Sequence, residues 1–165
     1  MNTDNQNIFA LISGWCEKGH HAALAIVIST WGSSPRQAGS MMAVRDDGLI
    51  EGSVSGGWVE SSVIHSAMRL IAEGGTETLE FGVADETAWQ AGLSCGGRIS
   101  VWVCPVSAMQ EHLPALAADM IASRTPLHID CLMERQHMQL GTSDKINSLS
   151  DDAGTFHLSV LPQPR

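Results

Sequence analysis

Residues 52–57 form a Gly-Ser-Val-Ser-Gly-Gly turn that strongly constrains how this chain folds. The turn follows a short extended run, Leu-Ile-Glu, at residues 49–51 and precedes a segment with the 3.6-residue apolar period of a helix. The apolar residues of that segment are Val59, Val63, Ala67, Leu70 and Ile71. We therefore predict a strand, a turn, and a helix that begins near residues 55–57 and ends at the glycines at 74–75.

Such a turn also predicts a binding site for an anion. Serine and glycine at a helix start expose backbone N–H groups and hydroxyls, and the helix dipole adds partial positive charge there. A phosphate or another oxyanion suits this arrangement, with Ser53, Ser55, Gly56 and Gly57 as the candidate binding residues. Turn geometry alone explains the same residues equally well, so both interpretations stay open.

Three sharper motifs are absent from the sequence. There is no G-x-x-x-x-G-K-[ST] phosphate loop and no G-x-G-x-x-G dinucleotide fingerprint. A nucleophile elbow needs serine midway between two glycines, but Val54 occupies that position. The turn therefore does not support hydrolase chemistry.

Composition and charge exclude several classes of protein. The formal net charge of −9 argues against nucleic-acid binding, which needs clustered Lys and Arg. Residues 1–7 are polar and lack the features of a signal peptide, and the apolar run at 22–28 is too short to span a membrane. We predict a cytoplasmic protein, with one domain at this length.

The four cysteines form no C-x-x-C pair, so they are predicted to be free thiols in a reducing compartment. Cys16 falls on the apolar face of the first helix and is predicted to lie in the core. Cys104 ends a strand and is predicted to pack there. Cys131 lies in a strand, where a metal site shared with His128 and His137 is an alternative to ordinary strand packing.

Cys95 differs from the others because it lies in the glycine-rich segment at residues 92–97. Flanking glycines let the backbone approach a ligand closely, and Arg98 nearby favours the thiolate. Cys95 is therefore a candidate nucleophile or soft metal ligand, and an unreactive loop thiol is the alternative. With Arg36, the two glycine-rich loops suggest a site that combines oxyanion recognition with sulfur chemistry.

The remaining pattern predicts an α+β (mixed α/β) fold in a single domain. The predicted elements are helices at 8–18 and through 113–121, strands at 22–30, 76–81, 98–103 and 156–161, and hairpins at 41–45 with 49–51 and at 127–133 with 137–140. Residues 147–154 are predicted to be a polar loop. Hairpins together with a helical crossover predict a mixed β-sheet with helices packed on it.

Three motifs occur together in one order: Trp-Gly-Ser-Ser-Pro-Arg at residues 31–36, the turn at 52–57 followed by Val-Glu, and Trp-x-x-Gly-Leu-x-Cys-Gly-Gly-Arg-Ile at 89–99. This set resembles the N-terminal domain of the XdhC/CoxI family, which are accessory factors for xanthine dehydrogenase-type and carbon monoxide dehydrogenase-type molybdenum enzymes. The resemblance is strong over residues 8–106 and looser over 107–165, where a helix, a hairpin and a final strand are predicted.

The resemblance implies a cofactor chaperone rather than an enzyme. Family members bind the molybdenum cofactor (molybdopterin) transiently and protect it while a terminal oxo ligand is exchanged for sulfur. They then deliver it to an apo molybdenum hydroxylase. The sulfur comes from a partner cysteine desulfurase.

The same resemblance implies that the three motifs converge on one site. Its candidate cofactor-binding residues are Ser33, Ser34, Arg36, Ser53, Ser55, Gly56, Gly57, Trp58, Cys95, Gly96 and Gly97. Backbone N–H groups at 55–57 are expected to hold the cofactor phosphate, and Cys95 is the candidate molybdenum ligand. Glu60 suits the helix dipole and is also placed to bind a polar pterin edge.

Two departures from the family pattern bear on function. Trp58 stands where the family commonly has a second cysteine, and its ring is suited either to stacking on a pterin or to packing beside the helix. Family members usually continue into a dinucleotide-binding-like domain, which we expect to be absent because the chain stops at that boundary.

Two functions other than a cofactor chaperone remain open from the sequence. The chain is also consistent with a protein-interaction or regulatory paralogue that has lost cofactor binding, as Trp58 and the missing domain suggest. An enzyme acting on a phosphorylated small molecule is a third function, although no acid–base constellation supports it. Met41 and Met42 are candidates for a homodimer interface, and core packing explains them equally well.

Overall fold

The computed structural model describes residues 7–31, 37–55, 59–82 and 98–163. Within these ranges the chain forms three α-helices and nine strands. In chain order they are α1 (Ile8–Glu17), β1 (Ala22–Trp31), β2 (Met41–Arg45), β3 (Ile50–Gly52), α2 (Glu60–Glu73), β4 (Glu77–Gly82), β5 (Arg98–Pro105), α3 (Leu113–Ala122), β6 (Leu127–Leu132), β7 (His137–Leu140), β8 (Ser148–Leu149) and β9 (Thr155–Val160).

The strands form two sheets. One has five strands in the order β3-β2-β1-β5-β4, and the other has four strands in the order β7-β6-β9-β8. Neighbouring strands pair antiparallel throughout both sheets. The predicted α+β class is confirmed, but two antiparallel sheets replace the one mixed sheet. The helical crossover through α2 joins β3 and β4 at opposite edges, so it creates no adjacent parallel pair.

Strand β1 is buried on both faces, which explains its nearly continuous apolar sequence. Ala23, Ala25 and Val27 belong to a core beneath α2, whereas Leu24 and Ile26 belong to a second core on the opposite face. The second core also contains residues of α1, α3 and the four-stranded sheet. The five-stranded sheet is thus the middle layer between α2 and the rest of the molecule.

Helix α2 begins later than predicted. Its first residue is Glu60 rather than a residue at 55–57, and its N-terminal cap position is Val59. The preceding turn is drawn into the core, since Val54 and Ser55 are both buried. The predicted end is correct, because Gly74 lies at the C-cap with a φ of 85°.

The prediction for Cys16 is wrong, because this thiol is exposed. It lies at the edge of the buried stripe of α1, near the end of the helix, and lines a surface recess with His21 and Pro105. Cys104 is buried at the end of β5, as predicted, and Cys131 is buried in β6. Burial raises the pKa of both of these thiols, so they stay protonated and unreactive.

The second half of the chain follows the predicted pattern closely. Strands β6 and β7 form the predicted hairpin, and β9 is the predicted last strand. Pro114 lies in the first turn of α3, where its missing N–H costs nothing. The predicted polar loop at 147–154 contains the short strand β8, which pairs with β9.

The hairpin turn after β2 carries a carboxylate with two donors. The backbone N–H of His21 donates to Asp46 Oδ2 at 2.9 Å, and His20 Nδ1 lies 2.9 Å from Asp46 Oδ1. The His21 hydrogen bond, followed by the His20 side chain, holds the pKa of Asp46 below its ordinary value. A carboxylate with a lowered folded-state pKa stabilises the fold above its unfolded pKa, and this contribution is lost as the pH falls.

We therefore expect Asp46→Asn to flatten the acid dependence of stability. The wild-type melting temperature should fall more steeply than that of the variant below about pH 4, the unfolded pKa of aspartate. Thermal denaturation between pH 3 and pH 6 checks this. Asp119→Asn, at an exposed position of α3, is the matched control. Parallel curves for wild type and Asp46→Asn would contradict the assignment.

Candidate functional site

Two of the three sequence motifs connect to the same end of the five-stranded sheet. Trp31, the last residue of β1, pairs with Arg98, the first residue of β5. Arg98 also pairs with Gly82, the last residue of β4. Trp31, Arg98 and Gly82 therefore lie side by side on three adjacent strands. Trp31 directly precedes residues 32–36, and Gly82 and Arg98 flank residues 83–97.

The third motif leaves the sheet in the same direction. Strand β2 runs antiparallel to both β1 and β3, so β3 runs parallel to β1 in direction. Gly52 at the end of β3 pairs with Met42, which in turn pairs with Ala25 of β1. The turn at residues 52–57 therefore starts toward the end of the sheet at which Trp31 and Arg98 lie.

Two of the predicted site residues, Ser53 and Ser55, fall within the part of the chain that the structure describes. The others lie outside the described residues, and they are Ser33, Ser34, Arg36, Gly56, Gly57, Trp58, Cys95, Gly96 and Gly97. Their roles stay predictions, as does the role of Cys95 as a metal ligand.

Gly52 fixes how the glycine-serine turn leaves the sheet. Its φ is 88°, a conformation that side chains disfavour, and a Cβ there would collide with the backbone carbonyl oxygen of Met41. The same carbonyl accepts a hydrogen bond of 3.2 Å from the backbone N–H of Ser53. The turn is thus fastened directly to the start of β2, and glycine is required at its first position.

Ser55, one of the two described residues of the predicted site, is hydrogen-bonded to Glu60 at the start of α2. The Ser55 hydroxyl donates to Glu60 Oε1, and its oxygen accepts from the backbone N–H of Val59 at 3.1 Å. Ser55 is also buried, with 1% of its surface exposed. The hydroxyl thus links the turn to the start of the helix, and the hydrogen bond that it donates goes to a carboxylate.

This geometry places a carboxylate beside the predicted anion site, whose role stays a prediction. A carboxylate at the first residue of α2 benefits from the helix dipole, but it repels a phosphate at the same place. The helix also starts at Glu60, so the free helical N–H groups do not begin at Ser55. In the described part of the turn, the acceptor next to the Ser55 hydroxyl is therefore the Glu60 carboxylate.

A shallow recess of about 310 Å³ lies along α2 and β4. The lining residues are Ser61, Ser62, His65, Ser66, Arg69, Glu77 and Leu79. Its one guanidinium, on Arg69, forms ion pairs with Glu73 and Glu77, and Ser66 donates to Glu77 at 2.8 Å. Because the positive charge is already neutralised, the recess does not favour an anion.

The alternative metal site on the second hairpin does not form. His128 and Cys131 lie three residues apart on β6, so they point to opposite faces of the sheet. Cys131 is in the core, while His128 lies 3.2 Å from the Ser159 hydroxyl. Within the described ranges no cluster of three or more His, Cys, Asp or Glu residues could hold a metal ion.

Sequence reasoning missed two contacts near this end of the molecule. The bond between Ser55 and Glu60 had no capping signal, because the two residues are five apart and a capping box needs a spacing of three. The contact of Asn147 with Gly39 had none, because these residues are far apart in sequence. Every helix in the described ranges is too short or too polar to cross a bilayer.

Comparison with known proteins agrees with the motifs. Residues 15–82, about two fifths of the chain, match the family described as XdhC and CoxI. The chain is 32% identical over 112 residues to the uncharacterized protein YqeB of Escherichia coli, an alignment that covers 68% of this chain and 20% of YqeB. It is 27% identical over 117 residues to the molybdenum cofactor insertion chaperone PaoD of the same organism, covering 70% of this chain and 36% of PaoD.

The chain therefore spans about a fifth and about a third of the length of these two relatives. A crystal structure of a xanthine dehydrogenase from Bacillus halodurans shares the fold with a TM-score of 0.72 at 19% identity. That match covers 99% of this chain and 54% of the other. The match at residues 15–82 confirms the resemblance of the motifs to the XdhC and CoxI family.

Proposed function

We propose that this chain binds the molybdenum cofactor as cargo and assists its insertion into a molybdenum hydroxylase. The observation that carries the proposal is the common direction of the three motifs. Trp31, Gly82 and Arg98 lie together at one end of the five-stranded sheet, and β3 runs toward that end at Gly52. The similarity to PaoD, a molybdenum cofactor insertion chaperone, supports the same function.

The proposed phosphate contacts differ from those first predicted at Ser55. Glu60 makes the start of α2 acidic, so the cofactor phosphate is better held by Arg36 with Ser33 and Ser34. Backbone N–H groups at 56–57 and 96–97 add donors without charge. Arg98, an exposed residue at the end of the sheet, is a second cation for this anion.

The remaining parts of the cofactor have matching partners. A pterin ring presents N–H donors along one edge, and a carboxylate such as that of Glu60 is their natural acceptor. Trp58 suits stacking on the pterin plane. A thiolate is a ligand for molybdenum, and we assign that role to Cys95.

As a transient carrier, the protein would act in the cytoplasm between other proteins. We include in the proposal an apo molybdenum hydroxylase as the recipient and a cysteine desulfurase as the sulfur source. Protection of the cofactor during exchange of an oxo ligand for sulfur, and assembly as a homodimer, are further parts of the same proposal.

Co-purification of cofactor tests the proposal. The protein is expressed in a host that makes the molybdenum cofactor, and pterin fluorescence is measured after oxidation, per mole of chain. We expect pterin with the wild type and a loss of about 10–100-fold or more with Cys95→Ala, since even indirect metal partners contribute that much. Cys16→Ala removes an exposed thiol near the opposite end of β1 and serves as the matched control.

Wild-type protein free of pterin would contradict cofactor binding. Equal retention by wild type and Cys95→Ala would remove Cys95 from the site while leaving the carrier function intact. A loss in both cysteine variants would point to a general effect on folding.

A second function is favoured by the acidic start of α2 and by Trp58 in place of a cysteine. Both features weaken a site for an anionic, metal-bearing ligand, and they suit a regulatory paralogue that binds the client enzyme alone. Normal docking to a molybdenum hydroxylase in a pull-down, without pterin, would establish this function instead.

A further inference from the structure

Asn147 packs directly against the segment that follows the Ser-Ser-Pro-Arg motif. A Cβ built on Gly39 would lie 2.5 Å from Asn147 Cγ, so the Asn147 amide rests on the Gly39 Cα. Gly39 has a φ of 95° and Asn147 a φ of 46°, a region that Asn enters more readily than most residues. The contact joins the second half of the chain to the connection between β1 and β2.

The Asn147 side chain is itself fixed from the four-stranded sheet. Its Oδ1 accepts a hydrogen bond of 2.9 Å from the backbone N–H of Ser159 in β9. The Ser159 hydroxyl donates to the Lys145 carbonyl at 2.9 Å and lies 3.2 Å from His128 Nδ1. Because Ser159 is buried, with 8% exposed, these bonds hold residues 145–147 against the sheet.

On the other side of the contact, Gly39 is hydrogen-bonded to β1 of the five-stranded sheet. Its backbone N–H donates to the Val27 carbonyl at 2.8 Å, and the Val27 N–H donates to the Ser40 carbonyl at 2.9 Å. The Ser40 N–H donates to Gln37 at 3.1 Å. Gln37 directly follows Arg36, so the position of residues 37–40 sets where the motif rejoins the sheet.

We infer that Asn147 is a positioning residue for residues 37–40, which connect the Ser-Ser-Pro-Arg motif of the proposed cofactor site to the sheet. This inference rests on the proposed function for its ligand and on the described contacts for its geometry. Asn147 acts through Gly39 and does not itself touch the cofactor. It makes the second half of the chain, beyond the family match at 15–82, a part of the binding machinery.

Three variants in the full chain separate this role from general stability. Asn147→Gly removes the side chain and accommodates the positive φ, so backbone strain does not confuse the result. Asn147→Asp keeps the oxygen that accepts from Ser159 and is the conservative rescue. Ile146→Ala, at an exposed neighbouring position with 57% of its surface accessible, is the matched control.

Two measurements are made on each variant. Amide hydrogen exchange reports the opening of residues 37–40, and pterin fluorescence after expression in a cofactor-producing host reports cargo per mole of chain. We expect exchange of the Gly39 and Val27 amides to quicken about fivefold in Asn147→Gly, as for the loss of one hydrogen bond. Pterin retention should fall by a similar factor, while Asn147→Asp and Ile146→Ala resemble the wild type.

Unchanged exchange at residues 37–40 in Asn147→Gly overturns the inference. So does faster exchange at these residues with full pterin retention, because the segment would then move without consequence for the site. If the wild type carries no pterin, the proposed function fails, and exchange alone decides whether Asn147 holds this segment. If Asn147→Gly loosens the whole protein, Gly39→Ala, which displaces the Asn147 amide from the other side, repeats the test.

Discussion

Gly52→Ala is expected to lower the free energy of unfolding by about 3 kcal/mol, from backbone strain of about 1–2 kcal/mol and overpacking of about 1–3 kcal/mol. The strain arises because Gly52 has a φ of 88°. The overpacking arises because the new Cβ meets the Met41 carbonyl oxygen, which is backbone and cannot rotate away. Urea denaturation of the purified chain measures the change.

The chain offers a matched control for this substitution. Gly48, in the turn between β2 and β3, has a φ of 90° but has nothing within 4 Å of a built Cβ. Gly48→Ala should therefore show the strain alone, about 1–2 kcal/mol. The difference between the two variants isolates the collision with Met41. Equal losses would show that the start of β2 moves aside and that the turn is not fixed there.

The Gly52 variant also bears on function. The turn at residues 52–57 is fastened to β2 through Gly52 and the Ser53 N–H. An alanine at position 52 should displace the turn as well as destabilise it, so pterin retention should fall further than in a control of equal stability. Gly48 lies at the opposite end of β3 from this turn. In Gly48→Ala, the pterin retained per mole of folded protein should therefore equal that of the wild type.

Much of this fold can be predicted from the sequence because local patterns and tertiary packing favour the same elements. The run at 22–28 is apolar throughout because β1 has a core on each face, and it was predicted as a buried strand. The Asp-Asp-Gly turn at 46–48 and the glycine at 74 set a hairpin and a helix end by their own backbone preferences.

The misplaced features depend on contacts between distant residues. The start of α2 shifts to Glu60 because Val54 and Ser55 are drawn beneath the helix into a core shared with β1 and β5. No local pattern distinguishes that from a helix beginning at Ser55. Cys16 has the apolar neighbours of a core residue, yet it lies at the edge of the stripe and is exposed.

The candidate site also has features that the sequence predicts and features that depend on contacts between distant residues. The sequence predicts that the three motifs converge, and the strand register of Trp31, Gly82 and Arg98 brings together the described flanks of two of them. The Glu60 carboxylate beside Ser55 and the Asn147 amide against Gly39 follow from tertiary packing. The first places a carboxylate at the turn, and the second links the connection between β1 and β2 to the second half of the chain.

The strongest test of that tie is Phe156→Ala, which should destabilise the protein by about 3–5 kcal/mol. Phe156 is fully buried in β9 and belongs to the same core as Phe9 of α1 and Trp102 of β5. Leu161→Ala, just beyond β9 at a side chain that is 43% exposed, is the matched control and should change stability by less than about 1 kcal/mol. Urea denaturation measures both.

Because one core contains residues from both halves of the chain, the loss of Phe156 should lower the stability of both together. Hydrogen exchange should then show faster opening of β1 and β5 as well as β6 and β9, in a single cooperative unit. Faster exchange confined to residues 107–163 would mean that the halves unfold independently. In that case the part of the chain that contains Asn147 could unfold while the rest stays folded. Residues 37–40 would then be held in position by the five-stranded sheet alone.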